Sequence, residues 1–240
     1  MELASVLAGP SVAQFLAELG ANVIKVESTR TNGDVTRGWK LPSEAHIKIS
    51  GVCLTMVDLD LFLLSQARDS DLSAYFSACN WGKRSMAVDL AQEGGREVVQ
   101  RMAAECDIVV VSYKPGDAEK LGVDYKSLSR TNEKLIYAEI TGYGSADKRV
   151  GYDAVIQAES GFTYMNGEAD GEKGIKMPVA LVDVLAAHSV KQGEILYNYV
   201  QAIAFHHPFP VLTLLSRVRQ ESSSSSGNEI EQAVVAKEAR

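Results

Sequence analysis

What this sequence lacks narrows its function early. It has three cysteines in 240 residues, Cys53, Cys79 and Cys106, with no CxxC pair and no histidine at ligand spacing. They read as reduced, mostly buried thiols of an intracellular protein, and not as a disulfide frame. The four histidines, His46, His188, His206 and His207, form no HExxH or comparable motif, so no metal is expected. There is no Walker loop, and no GxGxxG follows a strand pattern, which disfavours a nicotinamide dinucleotide. No basic block offers a footprint for nucleic acid, and the net charge is −7. An anionic ligand would therefore depend on local lysines and arginines, because the overall field does not attract it. The apolar stretch Val52–Leu64 carries Asp58 and Asp60 and is too short to span a bilayer. The first ten residues have no basic n-region and lead directly into a strand pattern. The expectation is an intracellular protein, cytoplasmic or mitochondrial, that engages neither membrane nor nucleic acid.

What is present is an ordinary globular composition, 46% hydrophobic and 23% charged. Over the first 150 residues, strand and helix patterns alternate. Leu3–Leu7 reads as a short strand, Pro10 suits the first turn of a helix, and Ser11–Leu19 places Val12, Phe15, Leu16 and Leu19 on one face. Gly20 closes that helix, and Val23–Val26 is the next strand. A second unit follows: strand Ser85–Leu90, helix Gly94–Glu105 and the β-branched strand Asp107–Val111. Short helices at Asp117–Leu121 and Tyr125–Arg130 precede the strand Leu135–Ile140. This alternation predicts an α/β fold, a Rossmann-like doubly wound sheet of mainly parallel strands. In such sheets ligands lie at the carboxyl ends of the strands. Two segments break the pattern: an unperiodic apolar run within residues 46–66, and the sequence after Gln192, which includes the serine run Ser222–Ser226. The expected organisation is a domain over 1–192 with an atypical insertion at 46–66, then a divergent, partly disordered tail over 193–240.

One residue stands out. Asp183 is the only charge in Met177–Ala187, a run that otherwise reads as buried. A carboxylate there is costly unless it is hydrogen-bonded, paired or reactive. The plain alternative is a helix cap for a helix starting at Val184. Three loop clusters, Gly33–Arg37, Asn80–Arg84 and Tyr113–Gly116, place cations or amides near strand ends. Singly each reads as solvated loop charge. Together they supply Arg37, Lys83, Arg84 and Lys114 for a phosphate-bearing ligand.

With these stretches in view, the chain resembles the class III CoA-transferases, the family of formyl-CoA, carnitine and succinyl-CoA:glutarate CoA-transferases. The matching segments, in order, are LASVLAGPSVAQFLAELGANVIKVE, GDVTRGW, NWGKRSMAVDL, DIVVVSYKPGDAEKLGVDY, LIYAEITGYG, GYDAVIQAESGF and MPVALVDVLAAH. The resemblance implies that Asp183 is a nucleophile. It attacks the thioester of an acyl-CoA to give an aspartyl–acyl anhydride, CoA thiolate returns to give an aspartyl-CoA thioester, and an acceptor acid reverses both steps. Coenzyme A and its acyl thioester are then substrates, with no permanently bound cofactor. By the same resemblance Val6, Leu7 and Ala8 contact CoA, with Leu7 standing where some transferases offer glutamine. Arg37 faces the CoA phosphates, Asn80, Lys83 and Arg84 form the adenine and phosphate loop, and Tyr113, Lys114 and Lys120 add further contacts. Gly142 and Tyr143 form a turn beside the active site. The superfamily also holds α-methylacyl-CoA racemases, which use the histidine of a Gly-His-Asp motif. Here the motif is Gly151-Tyr152-Asp153, and phenols, titrating near ~10, are poor bases at neutral pH. Tyr152 therefore favours transferase.

The departures are also informative. Full-length relatives continue past the nucleophile into a small domain and interlock as homodimers. The resemblance here ends soon after that motif, so the small domain is largely missing and an interlocked dimer is not expected of this chain. The alternatives to an active transferase are a truncated gene product and an inactive CoA-binding remnant.

Overall fold

The computed structural model of the chain describes residues 1–42, 72–167, 171 and 173–206. The 46–66 run and the tail from residue 207 lie outside the described residues. Five strands form one sheet: β1 (Glu2–Leu3), β2 (Ile24–Ser28), β3 (Arg84–Val88), β4 (Ile108–Val111) and β5 (Ile136–Glu139). Their order is β3-β2-β1-β4-β5, and every pairing is parallel. The chain thus winds outward from β1 in one direction and then, from β4, in the other. The reversal leaves a crevice beyond the carboxyl ends of β1 and β4, the usual ligand position of a doubly wound sheet.

The helices are α1 (Ala8–Glu18), α2 (Ala74–Asn80), α3 (Glu93–Ala104), α4 (Asp117–Lys120), α5 (Tyr125–Leu128), α6 (Asp153–Glu159), α7 (Phe162–Met165) and α8 (Leu181–His206). Strand β4 shows why the sheet is buried on both faces. Val109, Val110 and Val111 are all at most 1% exposed. Side chains alternate along a strand. Val109 and Val111 accordingly join Leu3, Val99, Ala103 and Leu128 in one core layer. Val110 joins Val12, Ala138, Ala187 and Val190 in the other. The first layer includes α3, α4 and α5, and the second α1 and α8. Each fully buried valine contributes about 1.5 kcal/mol or more of hydrophobic stabilisation.

Two differences from the sequence reading bear on the cavity. Strand β1 ends at Leu3 instead of Leu7, because Val6 turns with φ 72 and leaves extended conformation. Helix α8 begins at Leu181, upstream of Asp183, and continues through Gly193 to His206. A single glycine costs a helix only about 1 kcal/mol, and the packing of Ala186, Ala187 and Val190 outweighs it.

Candidate active site

The turns after β1, β4 and β5 meet the start of α6 and the first turn of α8 around a cavity of about 410 Å³. Val6, Leu7 and Ala8 form one wall, and Ser112, Tyr113, Lys114 and Pro115 another. Thr141, Gly142, Tyr152 and Asp153 close the third side, and Asp183 projects from α8. The third side is tight because two glycines touch there. A Cβ built on Gly142 would lie 2.2 Å from the Cα of Gly151, so neither position has room for a side chain.

Asp183 is partly buried and sits in the first turn of α8. A carboxylate near a helix N-terminus is ordinarily favoured by the helix dipole. Here burial dominates and pushes its pKa up to about 6, with the negative charge of Asp153 as the second cause. Asp183 is not the cap of its helix. Asp153 Oδ1 accepts from the backbone N–H of Val182 at 2.9 Å and of Asp183 at 3.4 Å, and so caps α8 from another helix.

The wall formed by Val6 is strained. A β-branched residue at φ 72 is a true outlier. Its N–H is held by both oxygens of Asp34, at 3.3 and 3.2 Å. Asp34 is itself fixed by Lys25 at 2.9 Å and by the N–H and hydroxyl of Thr36. Lys25 also meets Glu2 at 2.6 Å, and Lys83 meets the other oxygen of Glu2 at 2.7 Å. All four charged side chains are at most 2% exposed. This sealed ion network supports the turn that shapes the cavity.

The same network fixes the place of several residues proposed from sequence. Lys83 is not a free loop cation, since it is bound to Glu2, Pro10 O and Asn80 Oδ1. Burial lowers its pKa to about 8. Asn80 also donates to Phe76 O. Arg37 forms a two-pronged pair with Glu27, at 2.8 and 2.6 Å, and lies 4.0 Å over the Phe76 ring. Arg84 is exposed at the start of β3, and Lys120 is exposed and paired with Asp117. None of these five residues lines the cavity, whereas Val6, Leu7, Ala8, Tyr113, Lys114, Gly142, Tyr152 and Asp183 do. Tyr113 is largely buried, which raises its phenol to about 12 and keeps it neutral. Tyr143 lies beneath the guanidinium of Arg149, which does line the cavity. Sequence reasoning passed over Asp153, although its motif had been singled out for Tyr152, and it passed over Arg149 altogether. Among the described residues no cluster of metal-ligating side chains occurs, and no helix is long and apolar enough to cross a membrane. A second, larger cavity of about 960 Å³ lies among Met1, Leu16, Ile24, Met102 and Cys106 and holds none of the candidate residues.

The model of the family described as CoA-transferase family III matches residues 1–204. The succinate–glutarate CoA-transferase of Agrobacterium fabrum is 38% identical over 209 residues, covering 81% of this chain and 47% of that protein. The succinyl-CoA:glutarate CoA-transferase of Mus musculus is 33% identical, over 84% of this chain and 40% of its own length. A crystal structure of a CAIB/BAIF family protein from Brucella suis superposes with a TM-score of 0.65 at 38% identity, over 82% of this chain and 48% of that one. The chain thus spans about half the length, or less, of the relatives it matches.

Proposed function

This chain belongs to CoA-transferase family III, and on that footing we propose that it carries the nucleophile and the CoA-facing walls of an enzyme that moves CoA from an acyl thioester to a carboxylic acid. The observation that carries the reading is Asp183: a partly buried carboxylate in the first turn of α8, in the cavity at the carboxyl ends of β1, β4 and β5. Its pKa of about 6 leaves it ionised at neutral pH yet more basic than an ordinary carboxylate, which suits a nucleophile.

In the proposed sequence an Asp183 oxygen bonds to the acyl carbon and CoA leaves as thiolate, giving a mixed anhydride. The thiolate then attacks the aspartyl carbonyl carbon, releasing the donor acid and leaving an aspartyl-CoA thioester. The acceptor carboxylate attacks that thioester, and the returning thiolate attacks the acyl carbon of the new anhydride, which frees Asp183. Every intermediate retains its activation, provided water is kept out. Val182 and Ala186, both buried, and Ile156 provide an apolar frame for this.

Val6, Leu7, Ala8 and Tyr113 flank the thioester, and Lys114 is the lysine of the cavity wall offered to the CoA phosphates. Gly142, Tyr143 and Tyr152 form the acid-facing side. The names of the relatives support dicarboxylic acids as the substrate class. Tyr152, 66% exposed at the cavity rim, stands where a racemase would need a basic side chain, so the transferase reading is preferred.

The test is chemical trapping. Incubation with succinyl-CoA and hydroxylamine should place a hydroxamate on Asp183, located by peptide mass spectrometry. Asp183→Asn should bind CoA and form no adduct. Equal labelling of both chains would overturn the assignment.

A further inference from the structure

We propose that Asp153 is the positioning residue of this site: a single carboxylate on α6 that holds the first amides of α8 and sets a fixed negative charge beside Asp183. The inference deepens the reading of Asp183 as nucleophile and rests on it.

The first N–H groups of a helix have no intrahelical acceptor. The usual remedy is a Ser, Thr, Asp or Asn just before the helix. Val179 and Ala180, which precede α8, offer no side-chain acceptor. The acceptor instead comes from Asp153, whose Oδ1 takes the N–H of Val182 at 2.9 Å and of Asp183 at 3.4 Å. Its second oxygen is held in turn. Gln157, one helical turn further along α6, donates to Oδ2 at 2.7 Å. Gln157 is fully buried, donates also to Val179 O at 3.1 Å, and accepts from the N–H of Met177 at 2.9 Å. One helix therefore fixes both the segment that leads into α8 and the backbone from which Asp183 projects. Catalytic groups must be held within a fraction of an ångström, and this assembly supplies the rigidity.

Capping alone does not explain why the residue is charged. Asparagine caps as well as aspartate and would not repel Asp183. Lys176 reaches Asp153 only at 4.0 Å from an exposed position, which leaves much of that charge uncompensated. The other ionisable groups around Asp183 are Tyr75 on α2, whose phenol is raised first by burial and in lesser part by Asp183 itself, and Tyr113, Lys114, Asp117, Arg149 and Tyr152 on the cavity wall. Asp117 is paired with Lys120 at 2.7 Å, whereas Asp153 accepts from the amide of Asp183 itself and is, after burial, the cause that raises its carboxyl. Its charge makes Asp183 a more basic, more reactive anion.

Two variants of the 240-residue chain separate the two roles. Asp153→Asn keeps an acceptor oxygen and removes the charge, while Asp153→Ala removes both. The readouts are the pH titration of the Asp183 side-chain carbon by NMR, assigned against Asp183→Asn, and hydrogen exchange at the amides of Val182 and Asp183. In Asp153→Asn, Asp183 should hold its proton roughly tenfold less tightly, with amide protection unchanged. In Asp153→Ala, the two amides should exchange about fivefold faster. A purely structural Asp153 would leave the Asp183 titration untouched in the asparagine variant, and that result overturns the proposal. Wild-type exchange rates in the alanine variant also overturn it. If the alanine variant does not fold, the asparagine titration decides alone. Neither readout requires turnover. A wild-type chain that forms no hydroxamate would therefore defeat the nucleophile reading while Asp153 is still judged on its own data.

Discussion

Replacing Asp183 with asparagine should stabilise the protein at alkaline pH even as it removes the proposed chemistry. The folded carboxyl titrates near about 6, against an ordinary value of 3.8. That gap of roughly two pH units corresponds to about 3 kcal/mol of preference for the neutral form in the folded state. Because the folded pKa is raised, the native state binds the proton more tightly than the unfolded chain does. The associated stability is fully present below about pH 4 and is lost as pH rises through about 6. At pH 8 the wild type therefore carries an ionised group that its surroundings disfavour, and the amide does not. The amide must still be partly desolvated, so the net gain is smaller, about 1–2 kcal/mol. For a domain of this size that raises the melting temperature by roughly 2–8 °C. The assay is urea unfolding followed by circular dichroism, for both chains at pH 8 and pH 4. The gain should appear at pH 8 and shrink towards zero at pH 4. A variant less stable than wild type at pH 8, or an offset equal at both pH values, would refute the reasoning.

Two further outcomes follow from the charged groups around the cleft. Lys83→Met should lower stability by about 3–5 kcal/mol in urea unfolding, because it leaves Glu2 charged, sealed from water and short of a partner. Arg37→Ala should destabilise by about 2 kcal/mol at pH 7, since Glu27 loses a two-pronged pair. Glu27 is held at about 2 by hydrogen bonds from Arg37 and Ser85 that overcome its burial. A depressed pKa gives stability above the unfolded value near 4.5 that is lost as pH falls towards 2. The difference between the two chains should therefore narrow in acid, and a pH-independent difference would show that Arg37 acts only through Phe76.

Pattern made most of the sheet legible in the sequence, because β-branched runs such as Ile108–Val111 and amphipathic stretches such as Glu93–Ala104 depend mainly on local periodicity. Asp183 was visible for a related reason, as one charge in an apolar run. Long-range pairing hid what the sequence missed. Asp153 caps a helix that begins 28 residues later, whereas capping signals are read from adjacent positions. Lys83 and Arg37 looked like ligand cations because they lie on loops at strand ends. Only the fold shows that Glu2 and Glu27, on neighbouring strands, had already engaged them. Val6 misled in the opposite sense: a β-branched residue argues for strand, and the Asp34 that bends it lies 28 residues away.

The backbone contact between Gly142 and Gly151 limits how this cleft can be redesigned. With Cα packed against backbone and no space for a methyl group on either side, the spacing between the β5 turn and the start of α6 is fixed by main chain alone. Mutagenesis can neither narrow nor widen the pocket there without dislodging α6, and with it the carboxylate that anchors α8. Libraries aimed at a bulkier or smaller ligand would waste both positions. Productive diversity lies on the other walls, at Leu7, Tyr113 and Ala186, where side chains set the boundary.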